Sequence, residues 1–140
     1  MIREAVEADI PALVAMGERF HALSPVRAAA PYSAERFAAT LRGALASDAA
    51  AVFVTDALDA MLGVICSPVY FSEAVFAQEL FWWSEGRAGM RLLEAAEKWA
   101  LSKGASAFLM GRVEGVTERL DALYRRRGYV ATEHQYARVL

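Results

Sequence analysis

The sequence predicts a mixed α/β fold, with about four helices laid on the faces of a central mixed sheet of roughly six or seven strands. Three observations predict it. Two short apolar runs, residues 51–55 and 61–66, flank Asp56-Ala57-Leu58-Asp59-Ala60, the signal of an antiparallel hairpin. The long aromatic, β-prone run 75–83 passes through a short glycine-containing turn into an amphipathic helix, and a further apolar run, 107–110, follows. Strand, helix and strand in that order make a crossover between parallel strands, so the sheet must hold both antiparallel and parallel pairs.

Each element has a local reason. Residues 2–5 read as a short first strand. Asp9 suits an N-cap, and Pro11 falls early enough in the first turn to be tolerated. Ile10, Leu13, Val14, Gly17 and Phe20 then recur at helical spacing as far as His21. Ser24-Pro25 and Pro31 bracket a loop, after which Ser33 can cap a second helix with Phe37, Leu41 and Leu45 on one face. Ser67-Pro68 ends the second hairpin strand, and the run 75–83 makes a central strand. Across residues 88–103, Leu92, Leu93, Ala96, Trp99 and Ala100 form one apolar stripe; Glu94 and Lys98 pair on the other face, and Gly104 supplies the stop. Thr117 can cap a last helix carrying Leu120, Leu123 and Tyr124 and closed by Gly128. Residues 129–130 and 136–140 complete the chain as strands.

The 140 residues suit one domain, 1–140, around a single core. Hydrophobic residues make up 56% of the chain and the mean hydropathy is +0.24, raised largely by alanine. No apolar run reaches the ~18 residues of a membrane span, and the opening Met-Ile-Arg-Glu lacks the pattern of a signal peptide. A cytoplasmic location without a membrane partner is therefore expected. A net charge of −2 with no sustained basic stripe argues against a nucleic-acid partner. The one basic cluster, Arg125-Arg126-Arg127, equally suits the solvated C-terminal turn of a helix. Cys66, the single cysteine, excludes an internal disulfide and sits in an apolar run as a small core residue. His21 and His134 have no partners at metal-ligand spacing, so no metal site is expected.

The most informative segment is Glu79-Leu-Phe-Trp-Trp-Ser-Glu-Gly-Arg-Ala-Gly-Met-Arg-Leu-Leu93. A helix that starts so soon after a strand presents unsatisfied N–H groups and the positive end of its dipole, which together suit a phosphate. Gly86 and Gly89 allow close backbone approach, and Arg87 and Arg91 add positive charge. Glu79 is a charge inside an apolar strand, which demands either a site or a structural ion pair. Trp82 and Trp83 are neighbours and point to opposite sheet faces. Tyr124, on the apolar stripe of its helix, is either a core tyrosine or a functional phenol. An acceptor pocket, if there is one, is expected from the loops 24–33 and 67–73.

These features, with Leu123-Tyr-Arg-Arg-Arg-Gly-Tyr129, resemble the GNAT superfamily of N-acetyltransferases. The segments Gln78-Glu-Leu-Phe-Trp-Trp83, Ala88-Gly-Met-Arg-Leu-Leu93 and Thr132-Glu-His-Gln-Tyr136 resemble its small phage-associated branch. The likeness runs along nearly the whole chain and is strongest from Ala77 onward. It implies acetyl transfer from acetyl-CoA, as co-substrate, to a primary amine of a small molecule or a protein. It further implies that the backbone of Trp82, Trp83 and Ser84 pairs with the pantetheine arm. Amides of Gly86, Arg87, Ala88, Gly89, Met90 and Arg91 would hold the pyrophosphate. Tyr124 would protonate the departing thiolate, and Glu79 would act as base on the amine. The turn Ser84-Glu-Gly-Arg-Ala-Gly89 is shorter than the usual family turn, and Glu85 adds a negative charge to it. Two other readings stay open on that account: a member that binds coenzyme A or another ligand without turnover, and a structural or partner-binding homodimer.

Overall fold

The computed structural model of the chain describes residues 1–113 and 119–140. Strands β1 (Ile2–Glu4), β2 (Ala50–Thr55), β3 (Ala60–Pro68), β4 (Val75–Ser84) and β5 (Ala105–Leu109) form one five-stranded sheet in the order β1-β2-β3-β4-β5. The first three pairings are antiparallel and β4–β5 is parallel. The mixed sheet and its hairpin are those expected from the apolar runs. The strand count is lower than expected, because residues 129–140 form no strand. Their β-prone pattern is real, but a strand exists only by pairing, and β5 pairs only with β4 among the described residues. Val130, Tyr136, Val139 and Leu140 are accordingly exposed.

Helices α1 (Ile10–His21) and α2 (Ala34–Leu45) cover one face of the sheet. Leu13, Met16 and Leu41 bury there against Val52, Val54, Met61 and Phe81. Helix α3 (Gly89–Ser102) covers the other face, with Leu92, Leu93, Ala96 and Ala100 packed on Phe53, Leu62, Val64 and Ala77. The apolar stripe of α3 is the one its spacing predicts, and the helix stops where Gly104 takes a φ of +79°. Helix α4 (Arg119–Arg126) closes the set and has no fully buried residue. The Thr117 cap expected for it lies outside the described residues. No helix among the described residues is long and apolar enough to cross a membrane.

Two local expectations are corrected. Ser33 does cap α2, accepting from the Arg36 amide at 3.1 Å, but the Asp9 side chain does not cap α1. Its oxygens instead accept from the Arg3 guanidinium at 2.7 and 3.0 Å and from the Val6 amide at 2.8 Å. A bidentate, charge-assisted pair outweighs a single cap bond and ties β1 to the start of α1. Glu94, expected to pair with Lys98, lies instead 3.3 Å from Arg127. Cys66 is half-buried against the α3 side of the sheet, where burial pushes its thiol up, as suits a packing residue.

Candidate active site

Strands β4 and β5 run paired from Val75 and Ala105 only as far as Gln78 and Leu109, while β4 continues to Ser84. From residue 79 onward the two strands part, leaving one edge of β4 without a strand partner among the described residues. The β3–β4 register changes at the same level: Val64 opposes Glu79 and Gly63 opposes Phe81, so Leu80 is an extra residue in β4. The bulge turns the strand over. Ala77 packs on the α3 side, yet Phe81, four residues on, packs on the α1–α2 side. Gly63 is required here, since a Cβ on it would run into the Phe81 ring.

Glu79 and Tyr124 meet where the strands part. The Gly111 amide donates to Glu79 Oε2 at 2.7 Å, and the Tyr124 hydroxyl donates to the Gly111 carbonyl at 2.7 Å. Burial pushes the Glu79 carboxyl above the usual range, and the Gly111 hydrogen bond offsets part of that shift. Burial, followed by the charges of Glu79 and Asp121, pushes the Tyr124 phenol up, so it carries its proton at any physiological pH. The Tyr124 ring stands 6.2 Å from Trp82 and 5.4 Å from Tyr129, centroid to centroid.

The predicted anion cradle lies at the other end of the exposed β4 edge. Ala88 precedes α3 with no side-chain cap, so the first-turn amides have no side chain bonded across them. The Ser84 hydroxyl donates to the Gly86 carbonyl at 3.1 Å, and the Glu85 amide donates to the Asp59 carbonyl at 2.8 Å, which fastens the turn to the β2–β3 hairpin. A Cβ on Gly86 would strike the Asp59 carboxylate; a Cβ on Gly89 would come within 3.6 Å of the Trp82 ring. Arg87 and Arg91 are exposed beside these amides, Ala88 is buried, and Met90 packs partly on the α3 side. Glu85 does not face this cradle uncompensated. Arg19 of α1 grips it with Nε at 2.5 Å and Nη2 at 3.0 Å, which holds its carboxyl below the usual range. The donors and charges present therefore fit a phosphate-bearing group.

Trp82 and Trp83 do take opposite faces. Trp82 packs with the α3 cluster and Trp83 with the α1–α2 cluster. Trp83 stacks on Phe20 of α1 at 5.2 Å and 24°. Together with Glu79, Trp82, Gly111, Arg112, Val113 and Leu120 they line a cavity of about 240 Å³ that reaches the parting strands. Neither loop expected to build an acceptor pocket, 24–33 or 67–73, contributes to that lining.

The sequence reading missed Gly111, Arg19, Phe20 and Glu97. Glu97 of α3 accepts from the Arg127 guanidinium, an ion pair, and from the Tyr129 hydroxyl at 2.8 Å. A signal for it was present: Glu94 and Glu97 share a helix face, and Arg127 follows in the basic cluster.

No family model matches the chain, and no curated protein matches it. Solved structures do. A GNAT family acetyltransferase of Staphylococcus aureus is 15% identical with a TM-score of 0.68, covering 100% of this chain and 98% of that one. A transcriptional regulator of Bacillus halodurans is 18% identical with a TM-score of 0.77, covering 99% and 97%. AAC(6')-Iy, bound to a bisubstrate analogue of CoA and acetylneamine, is 14% identical with a TM-score of 0.72, covering 99% and 95%. At such identities the likeness is one of architecture, and the architecture of this chain is that of the GNAT acetyltransferases.

Proposed function

We propose that the protein is an acetyl-CoA-dependent N-acetyltransferase acting on a primary amine, in the small phage-associated branch suggested by the 78–83 and 88–93 segments. The observation that carries this reading is the joint placement of a carboxylate and a phenol on Gly111 at the mouth of the parted strands. The uncapped first turn of α3, with Arg87 and Arg91 beside it, holds the pyrophosphate through amides of residues 86–91. The free edge of β4 at Trp82, Trp83 and Ser84 receives the pantetheine amides.

Acetyl-CoA supplies the acetyl thioester, whose C–S bond breaks as the N–C bond to the amine forms. Glu79, its affinity for a proton raised by burial, takes the proton that the ammonium must lose, directly or through a water. A backbone N–H of the 79–84 stretch stabilises the negative charge that develops on the carbonyl oxygen. Tyr124 gives its proton to the departing sulfur. Two protons leave nitrogen: the ammonium gives one to Glu79 before attack, and the one lost as the tetrahedral adduct collapses passes through water to the Tyr124 oxygen, replacing the proton that Tyr124 gives to sulfur.

The four-residue passage from Ser84 to Gly89 offers few amides, and this favours a second reading, a binder of coenzyme A without turnover. Calorimetry and thermal shift with acetyl-CoA test both. Saturable binding with a rise in Tm is expected, since a ligand that binds only the native state stabilises it. No shift at millimolar acetyl-CoA refutes both readings, and binding without acetyl transfer to any amine leaves only the second.

A further inference from the structure

The cavity beside Glu79 has walls of unusual composition for a site that would take a charged amine. Phe20 and Trp83 stack to form one side, and Val113 and Leu120 contribute apolar surface. Among the described residues, the acid on its wall is Glu79. The guanidinium of Arg112, also on the wall, is 3.0 Å from Asp121 and so does not stand as an uncompensated cation. A cavity of about 240 Å³ has room for a small organic amine and lies below the roughly 300–1,000 Å³ of sites for drug-sized ligands.

An aromatic ring attracts a cation through a face that its stacking partner does not cover, and a carboxylate on an apolar wall fixes where that cation sits. A second or third charge on the ligand that lay against Phe20, Trp83 or Leu120 would have its desolvation uncompensated. The slot is also held in shape without ligand. Arg19, next to Phe20, bridges to Glu85, and the Trp83 indole N–H donates to the same carboxylate at 3.4 Å. The ring pair is therefore braced from both of its parent elements, α1 and the end of β4.

We propose that this cavity binds the ammonium end of a small, mostly apolar primary amine, with Glu79 as counter-ion and the Phe20–Trp83 pair as its aromatic wall. The role of this amine as acetyl acceptor rests on the transferase reading above; the binding site itself does not.

The test uses the full chain and reads binding by tryptophan fluorescence and ligand-observed NMR, with no acetyl-CoA present. Phenethylammonium is expected to bind about tenfold more tightly than spermidine or the uncharged 2-phenylethanol, from the combined ring and carboxylate contacts. Phe20→Leu, which keeps apolar volume but removes the ring, should weaken phenethylammonium about fivefold with an unchanged Tm. Trp83→Leu repeats the test should that variant fold poorly. Equal or tighter binding of spermidine or of the alcohol overturns the proposal, as does undiminished affinity in both ring variants. Acetyl transfer is then measured separately with bound acetyl-CoA. Tight phenethylammonium binding without transfer upholds this site and removes the transferase reading, whereas transfer to spermidine or lysyl peptides with no binding of phenethylammonium upholds that reading and removes this site.

Discussion

Tyr124 and Glu79 are joined through a single residue: the tyrosine hydroxyl donates to the carbonyl of Gly111, whose amide donates to the glutamate, each at 2.7 Å. One peptide segment thus sets the distance between a proton donor and a proton acceptor supplied by elements far apart in sequence. The arrangement also ties their electrostatics together, since the Glu79 charge is one of the causes that keep Tyr124 protonated.

Tyr124→Phe removes the proton proposed for the leaving sulfur but keeps the ring against Trp82 and Tyr129. The expected result is a fall in kcat of about 10²-fold, the size of a general-acid contribution, with KM for acetyl-CoA little changed. Steady-state kinetics with thiol release as the readout checks it. An unchanged kcat takes Tyr124 out of the chemistry.

Glu79→Gln should separate activity from stability. The folded carboxyl is raised above its ordinary value of 4.5 by burial, so its ionised form is a cost to the native state. That cost is absent below pH 4.5 and grows as pH rises through the folded value. The variant, whose amide oxygen can still accept from Gly111, should melt higher than the parent at pH 7, and the gap should close on acidification. Activity should fall, and the acid limb of the pH–rate profile should disappear. Melting curves across pH, run beside that profile, test both halves.

Much of this was legible in the chain because the signals were local. The α3 stripe, the Gly104 stop, the Ser33 cap and the opposed faces of Trp82 and Trp83 each follow from spacing within one element. The features that complete the site are pairings across the fold. Arg19 and Glu85 are 66 residues apart, Gly111 and Glu79 are 32 apart, and no periodicity links them. The bulge at Leu80 belongs to the same class, because the mismatch is between two strands and neither shows it alone. Residues 136–140 fail for the converse reason: an alternating pattern that pairs with none of the described strands, although β5 pairs on one side only.

Arg19→Ala should release Glu85 beside the first turn of α3. A free carboxylate there opposes a bound phosphate, and acetyl-CoA affinity should drop about two- to fivefold, the weight of one charge at a helix N-terminus. The double variant Arg19→Ala/Glu85→Gln should recover the loss. Calorimetry at low and moderate salt distinguishes this from misfolding, since the defect of the single variant should shrink as salt screens the charge.

Helix α4 carries Tyr124 yet buries no residue fully, so polar contacts must fix its place. Glu97 supplies one just past its C-terminal end, gathering the Arg127 guanidinium and the Tyr129 hydroxyl. The Tyr129 amide in turn donates to the Tyr124 carbonyl at 2.9 Å, which passes the anchorage back to the proposed acid. Because Glu97 lies on α3, the helix whose first turn faces the proposed phosphate site also holds the proposed proton donor. Glu97→Ala leaves the half-buried Tyr129 hydroxyl without its acceptor and Arg127 with Glu94 alone, and should cost about 1–3 kcal/mol of stability. If the clamp positions Tyr124, kcat should fall well below the parent value at a temperature where the variant is fully folded, with KM for acetyl-CoA held. Glu97→Gln, which can still accept from Tyr129, should restore part of kcat. A variant that melts early but turns over at the parental rate would show that Glu97 secures the fold and not the geometry of the phenol.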